Sequence, residues 1–211
     1  MRIRKRRFRD EISGRVVWQV TGGETMHHHL YFLNPSWTPD GRLLICVSHA
    51  EGRPNLVAID DETGLSEPLT AIDDLTPFSA CPARDGRGVF STAGPELRWV
   101  DIASRRQEVV ARFTDGLPSS CALNHDGASV VTNVRRGTRN TITVVRADGR
   151  GTLPVLDTER EVGHVQFEPT PAGRILSGAL RHGDGSRARE DDRCGAWTLR
   201  GRAPPGDLRC C

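Results

Sequence analysis

A chain of 211 residues with 22 glycines, 13 prolines and 5% aromatic residues is long enough for one sizeable domain and is composed for short strands and turns rather than long helices. A net charge of +2 excludes a global electrostatic case for nucleic-acid binding, and no window approaches the ~18 apolar residues that cross a membrane. The basic charge is almost wholly arginine, Lys5 being the only lysine. That suits a carboxylate-bearing ligand, because guanidinium pairs carboxylates through two bonds at once.

The opening segment "MRIRKRRFRD" is basic, but no apolar stretch follows it, so it reads as a solvated lead-in strand and not as a secretory signal. Residues 26–42, "MHHHLYFLNPSWTPDGR", place three histidines before a hydrophobic, strand-like run that ends in a Pro-Asp-Gly turn. Adjacent strand residues point to opposite faces, so at most two of these histidines share a side. A substrate-facing rim or a structural role therefore outweighs a metal cluster. From there the chain repeats itself. "WTPDGRLLICVS" (37–48), "CPARDGRGVFST" (81–92) and "LNHDGASVVTNV" (123–134) each precede a second pair of apolar runs. Asp-Gly pairs fall at 40–41, 85–86 and 126–127, and Asp-Gly between apolar runs is a strong hairpin signal because glycine tolerates φ > 0. A further unit opens at "VQFEPTPAGRILSGAL" (165–180).

Strand-only units at a spacing of about 40–50 residues define an all-β fold of the β-propeller type, one four-stranded blade per unit. Blades are expected at 34–70, 78–113, 119–157 and, in part, 164–180. Residues 8–21 look like the outer half of a unit and act as a closing strand. That makes about 3.5–4 blades, at or under the low end of the ~4–8 of closed propellers. Open blade edges invite self-association. From Arg181 to Cys211 the sequence is arginine-rich with little alternation, and an irregular or disordered tail is expected. It reads as a shortened or frameshifted end. Cys46, Cys81 and Cys121 sit singly in apolar runs as small hydrophobes, no zinc spacing is present, and a reduced, cytoplasmic setting follows. Trp18, Trp37 and Trp99 are read as packing residues, and His49 and His125 as solvated turn residues.

The block "HHLYFLNPSWTPDGRLLICVSHAEGRPNLVAID" (28–60), together with "GHVQF" (163–167), resembles the oligogalacturonate lyases, seven-bladed propellers that cleave short pectin oligomers in the cytoplasm. More distantly, the chain resembles TolB-like and WD40-like propellers. The lyase resemblance implies β-elimination on an acidic oligosaccharide, without nucleic-acid or membrane partners. It assigns His164 as the base that takes the C5 proton, and imidazole suits that task because it titrates near neutrality. It assigns Arg139, 25 residues upstream, as the cation on the substrate carboxylate, with Arg135 and Arg136 close enough to leave the register loose. His28 and His29 fall at the substrate end. Gln166, two residues after His164, shares its strand face; orienting the base, touching a sugar hydroxyl and structural packing are equally open to it. The family holds Mn²⁺ with one glutamine and three histidines from later blades. This chain has no histidine beyond His182 and no glutamine beyond Gln166, so no metal ligands are found and weak or absent activity is expected. The alternative is a non-catalytic TolB-like or WD40-like binding propeller.

Overall fold

The structure, a computed structural model, describes residues 5–181 and 194–198. It is built from antiparallel sheets whose strands follow one another in chain order. A hairpin of β1 (Arg6–Arg9) and β2 (Val16–Gln19) comes first. Three four-stranded sheets follow. The first holds β3 (His27–His29), β4 (Leu43–Ser48), β5 (Asn55–Asp60) and β6 (Ser66–Pro68). The second holds β7 (Cys81–Pro82), β8 (Gly88–Ala93), β9 (Glu96–Asp101) and β10 (Gln107–Arg112). The third holds β11 (Leu117–Leu123), β12 (Ser129–Arg136), β13 (Arg139–Arg146) and β14 (Thr152–Thr158). A three-stranded sheet of β15 (Glu161–Phe167), β16 (Arg174–Arg181) and β17 (Cys194–Thr198) completes the order. Apart from a 3-10 turn at Ala50–Gly52 there is no helix among the described residues. These are propeller blades.

Two turns recur and explain the repeat. Between the first two strands of a blade, the carboxylates of Asp40, Asp85 and Asp126 accept from the backbone N–H two residues on, at 2.9–3.0 Å. The following glycines, Gly41, Gly86 and Gly127, have φ of 69–75°, a left-handed conformation that a Cβ disfavours. Between the last two strands, Asp60 accepts from the N–H and hydroxyl of Thr63, and Asp101 from those of Ser104. Asp10 and Ser13 form the same contact between β1 and β2, so the N-terminal hairpin is made as the outer half of a blade is made.

The three four-stranded sheets bury apolar residues on both faces, and the three-stranded sheet packs against the third of them. Leu30, Ile45, Val47 and Leu56 pack with Leu75, Val89 and Val100 between the first and second blades. Cys81, Phe90, Leu97 and Phe113 pack with Cys121, Val130, Val134 and Val145 between the second and third. Val131, Ile142 and Val144 pack with Val162, Val165, Phe167 and Ile175 between the third and fourth. The hairpin contributes Val20 to a smaller cluster on Cys46, Val57 and Ile59. Cys46, Cys81 and Cys121 are free and buried, and desolvation pushes the Cys46 and Cys81 thiols up to about 11.

Three expectations are corrected here. The histidine run is not a prelude to a strand. It is itself β3, paired His27 to Ser48, His28 to Val47 and His29 to Cys46. The apolar run after it is not a strand but an excursion from the inner strand, which rejoins the ladder only at Trp37 opposite Leu44. Asn34 in that excursion donates to the carbonyls of Ala80 and Cys121, at 3.0 and 2.9 Å, and these side-chain bonds hold the segment where ladder bonds would hold a strand. Within the segment expected to be an irregular tail, Arg181 and Cys194–Thr198 are described; the first ends β16, and Cys194–Thr198 form β17, which pairs with β16 from Arg174–Thr198 to Gly178–Cys194. A weakly alternating sequence still pairs where a neighbouring strand offers an open edge. Residues 182–193 and 199–211 lie outside the described residues. Finally, Trp99 packs on Phe90 with ring centres 4.7 Å apart, but Trp18 is 54% exposed on the N-terminal hairpin, where no further sheet among the described residues covers it.

Candidate active site

The excursion carries Tyr31 and Phe32 from the first blade to β15 of the fourth. Tyr31 stacks on the His164 ring with centres 5.5 Å apart and planes at 28°, and Phe32 lies 5.6 Å from the same ring. The Tyr31 hydroxyl is hydrogen-bonded to His164 Nδ1. His164 occupies a bulge in β15, where the ladder skips from Gly163 to Gln166. Its φ is +55°, uncommon for any residue with a Cβ and a conformation that surrounding structure must hold in place. Two side chains of the third blade, Asn133 and Asn140, tie down the strand around it. The buried Asn133 amide donates to the carbonyl of Val162 at 2.9 Å and to Asn140 Oδ1 at 3.0 Å. Asn140 in turn donates to the carbonyl of Arg160 at 3.0 Å.

From Tyr31 the ring contacts continue outward. Phe78, at the approach to the second blade, lies 6.4 Å from Tyr31 and 4.5 Å from His28. His28 Nε2 is 3.1 Å from His49 Nε2. A continuous wall therefore runs from His49 through His28, Phe78 and Tyr31 to His164. Phe32 and Phe78 are 66% and 49% exposed, so the wall is open to a ligand. Burial chiefly, with His28 and His27 adding like charge, holds the His49 imidazole below its usual value.

When His164 donates its Nδ1–H to the Tyr31 oxygen, Nε2 carries the lone pair. No protein atom meets that Nε2 among the described contacts, so it is the nitrogen available to a substrate proton.

Of the residues read from sequence, His28 and His164 stand on this wall. His29 is exposed and turns its Nδ1 to the carbonyl of Leu30. Gln166 is half-buried beside the bulge, with no hydrogen bond or ring contact to His164 among those described. Arg139 lies on the other side of its sheet. Cross-strand partners share a face, and Arg139 opposes Arg136 while Asn140 opposes Arg135. The Asn140 face carries Val131 and Ile142, which pack on the fourth blade; the Arg139 face carries Val130, Val134 and Val145, which pack on the second. Arg139 donates to Asp157 at 2.6 Å and lies 3.6 Å from Glu159. Arg136, on the same face, donates to Asp115 and Thr141. Arg135 is the cation on the β15 side. Sequence reasoning missed His49, Tyr31 and Phe78. His49 was legible once His28 is paired with Val47, because the residue two beyond a cross-strand partner is a diagonal neighbour on the same face. Phe78 carried no such signal.

Among the described residues no cluster of three or more His, Cys, Asp or Glu is arranged to hold a metal ion. The donors present do not match the one-glutamine, three-histidine set that the resemblance implies. No helix of the described residues is long and apolar enough to cross a membrane.

No family model matches the sequence, and no curated protein matches it by sequence. Solved structures do match by fold. An oligogalacturonate lyase in complex with manganese superposes with a TM-score of 0.83 at 18% identity, covering 94% of this chain and 57% of that one. An oligogalacturonate lyase from Vibrio parahaemolyticus gives 0.84 at 16% identity, covering 100% and 60%. A TolB protein from Agrobacterium tumefaciens gives 0.62 at 16% identity, covering 77% and 59%. The likeness is one of fold, and the chain spans less than two thirds of the length of these neighbours.

Proposed function

We propose that this chain belongs to a lyase of the oligogalacturonate type, acting on short uronate oligosaccharides by β-elimination with His164 as the base. The observation that carries the reading is the setting of His164: a strained bulge, Nδ1 engaged by Tyr31, and Nε2 without a protein partner beside an exposed aromatic wall. In the proposed step His164 Nε2 takes the C5 proton. The C5–H electron pair forms the C4=C5 double bond, and the C4–O bond breaks to release the leaving sugar. With the Tyr31 oxygen accepting from Nδ1–H, the imidazole presents a basic Nε2, and the same contact accepts from the imidazolium that forms. Tyr31, Phe32 and Phe78 offer ring faces to the sugar. Charge accumulating on the substrate carboxylate requires a cation. The sequence pattern nominates Arg139, which must then exchange its carboxylate partners for substrate. Arg135 shares the face turned to β15, and comparing Arg139→Ala with Arg135→Ala decides between them. The Mn²⁺ of the family has no matching ligand set among the described residues, and no step here is routed through it.

The test is direct. Folded protein is incubated with digalacturonate and Mn²⁺, and ultraviolet absorbance of the unsaturated product is followed. Weak turnover is expected, given the metal ligands missing among the described residues, with His164→Ala lowering kcat by ~10²–10⁴; no product from folded protein sinks the reading. Binding without turnover would favour a non-catalytic propeller, a reading supported by the TolB likeness and by the carboxylate pairing of Arg139.

A further inference from the structure

The triple histidine divides by face. His28 opposes Val47 in the ladder, and His49 follows Val47 by two, so His28 and His49 are diagonal neighbours on one side of the sheet. His27 and His29 oppose Ser48 and Cys46 and fall on the other. The backbone fixes this placement, because the His49 N–H donates to the carbonyl of Met26 at 2.9 Å, just ahead of β3. The rings then converge, Nε2 to Nε2, at 3.1 Å.

We propose that His28 and His49 form a two-imidazole site for a borderline divalent cation of the Zn²⁺, Co²⁺ or Ni²⁺ kind. Three features support it. First, metal–imidazole bonds of ~2.0–2.1 Å meeting at ~90–110° hold their two nitrogens ~2.9–3.4 Å apart, and the observed separation falls in that range. Second, His28 Nδ1 lies 2.8 Å from the carbonyl oxygen of His29. Only an N–H can meet a carbonyl, so His28 Nε2 carries its lone pair toward the shared point. An imidazole whose far nitrogen donates to a backbone carbonyl is in the orientation that metal-bound histidines adopt. Third, Phe78 packs on the His28 ring at 4.5 Å and limits its rotation. In the metal-free pair one Nε2 must carry a proton, and that nitrogen is His49's. Binding requires only that His49 move this proton to its own Nδ1, so two neutral imidazoles accept the cation without net protonation change. Imidazole pairs favour these metals over harder cations. The remaining positions fall to water or to an anionic oxygen of a ligand on the exposed side of the wall. The site rests on ladder geometry and stands whether or not the lyase reading does.

The experiment uses the full chain with Cys194, Cys210 and Cys211 replaced by serine, since thiolates are strong zinc ligands in their own right. Zn²⁺ is titrated in competition with a chromophoric chelator. One ion per chain is expected. His28→Gln and His49→Gln each weaken binding by at least ~10-fold, His29→Gln leaves it unchanged, and imidazole NMR shows the His28 and His49 nitrogens shifting together. Absence of zinc binding, retention of parental affinity in His28→Gln or His49→Gln, or an equal loss in His29→Gln overturns the proposal. Circular dichroism confirms that each variant is folded.

Discussion

Asn133→Ala is the most informative single change, because it tests how the third blade holds the strand that bears His164. The side chain is 4% exposed and its amide donates twice, to Val162 O at 2.9 Å and to Asn140 Oδ1 at 3.0 Å. Truncation leaves both acceptors buried and unmet, at about 1–2 kcal/mol each, so a loss of ~2–4 kcal/mol is expected. With a urea slope of ~2 kcal/mol/M, the midpoint falls by roughly 1–2 M, readily followed by tryptophan fluorescence. Asn140→Ala shares one of the two bonds, so the double variant costs less than the sum. Asn133→Asp places oxygen against two oxygens, which raises the folded-state pKa of the new carboxyl. Its stability relative to Asn133→Ala therefore improves as pH falls and the carboxyl takes a proton. A loss below ~0.5 kcal/mol, or strict additivity with Asn140→Ala, would refute the reasoning.

Three other outcomes follow. A Cβ on Gly88 would stand 2.2 Å from Trp99 Cζ2 and 2.4 Å from the carbonyl of Val100, so Gly88→Ala should destabilise by ~2–3 kcal/mol and shift Trp99 fluorescence; an unchanged melting curve contradicts the packing. Arg105 has φ of 60° where Gly14 and Gly64 hold φ of 67–69° in the equivalent turns. Arg105→Gly should therefore stabilise by ~0.5–1 kcal/mol, since the exposed pair with Glu67 contributes little; a loss in thermal denaturation would count against this. The lowered His49 pKa means that the unfolded chain binds the proton more readily. That part of the stability is full above 6.5 and is lost as pH falls from 6.5 through the folded-state value, and His49→Gln should flatten the stability profile across that interval.

The blades were legible because their signals are local. Asp40-Gly41, Asp85-Gly86 and Asp126-Gly127 specify turns through bonds two residues long, and the apolar runs between them have the strand period. The excursion at 30–36 was not legible. "LYFL" has strand composition, and long-range bonds, from Asn34 to two other blades and from Tyr31 to His164, hold it out of the ladder. Nor was β17, whose pairing depends on the open edge of β16 and not on its own alternation.

The candidate site divides along the same line. Chemistry-bearing residues such as His28, His164 and the cluster Arg135, Arg136 and Arg139 stand out in the sequence by type and spacing. Which of them meet was decided by register and by long-range contact. A single alternation step sends Arg139 toward the second blade and Arg135 toward the fourth. One bulge turns His164 to Tyr31, 133 residues away. Turns and strand periods are properties of a few neighbouring residues and survive in one dimension. The facing of side chains across a ladder, and contact across blades, exist only once the sheets have paired and stacked.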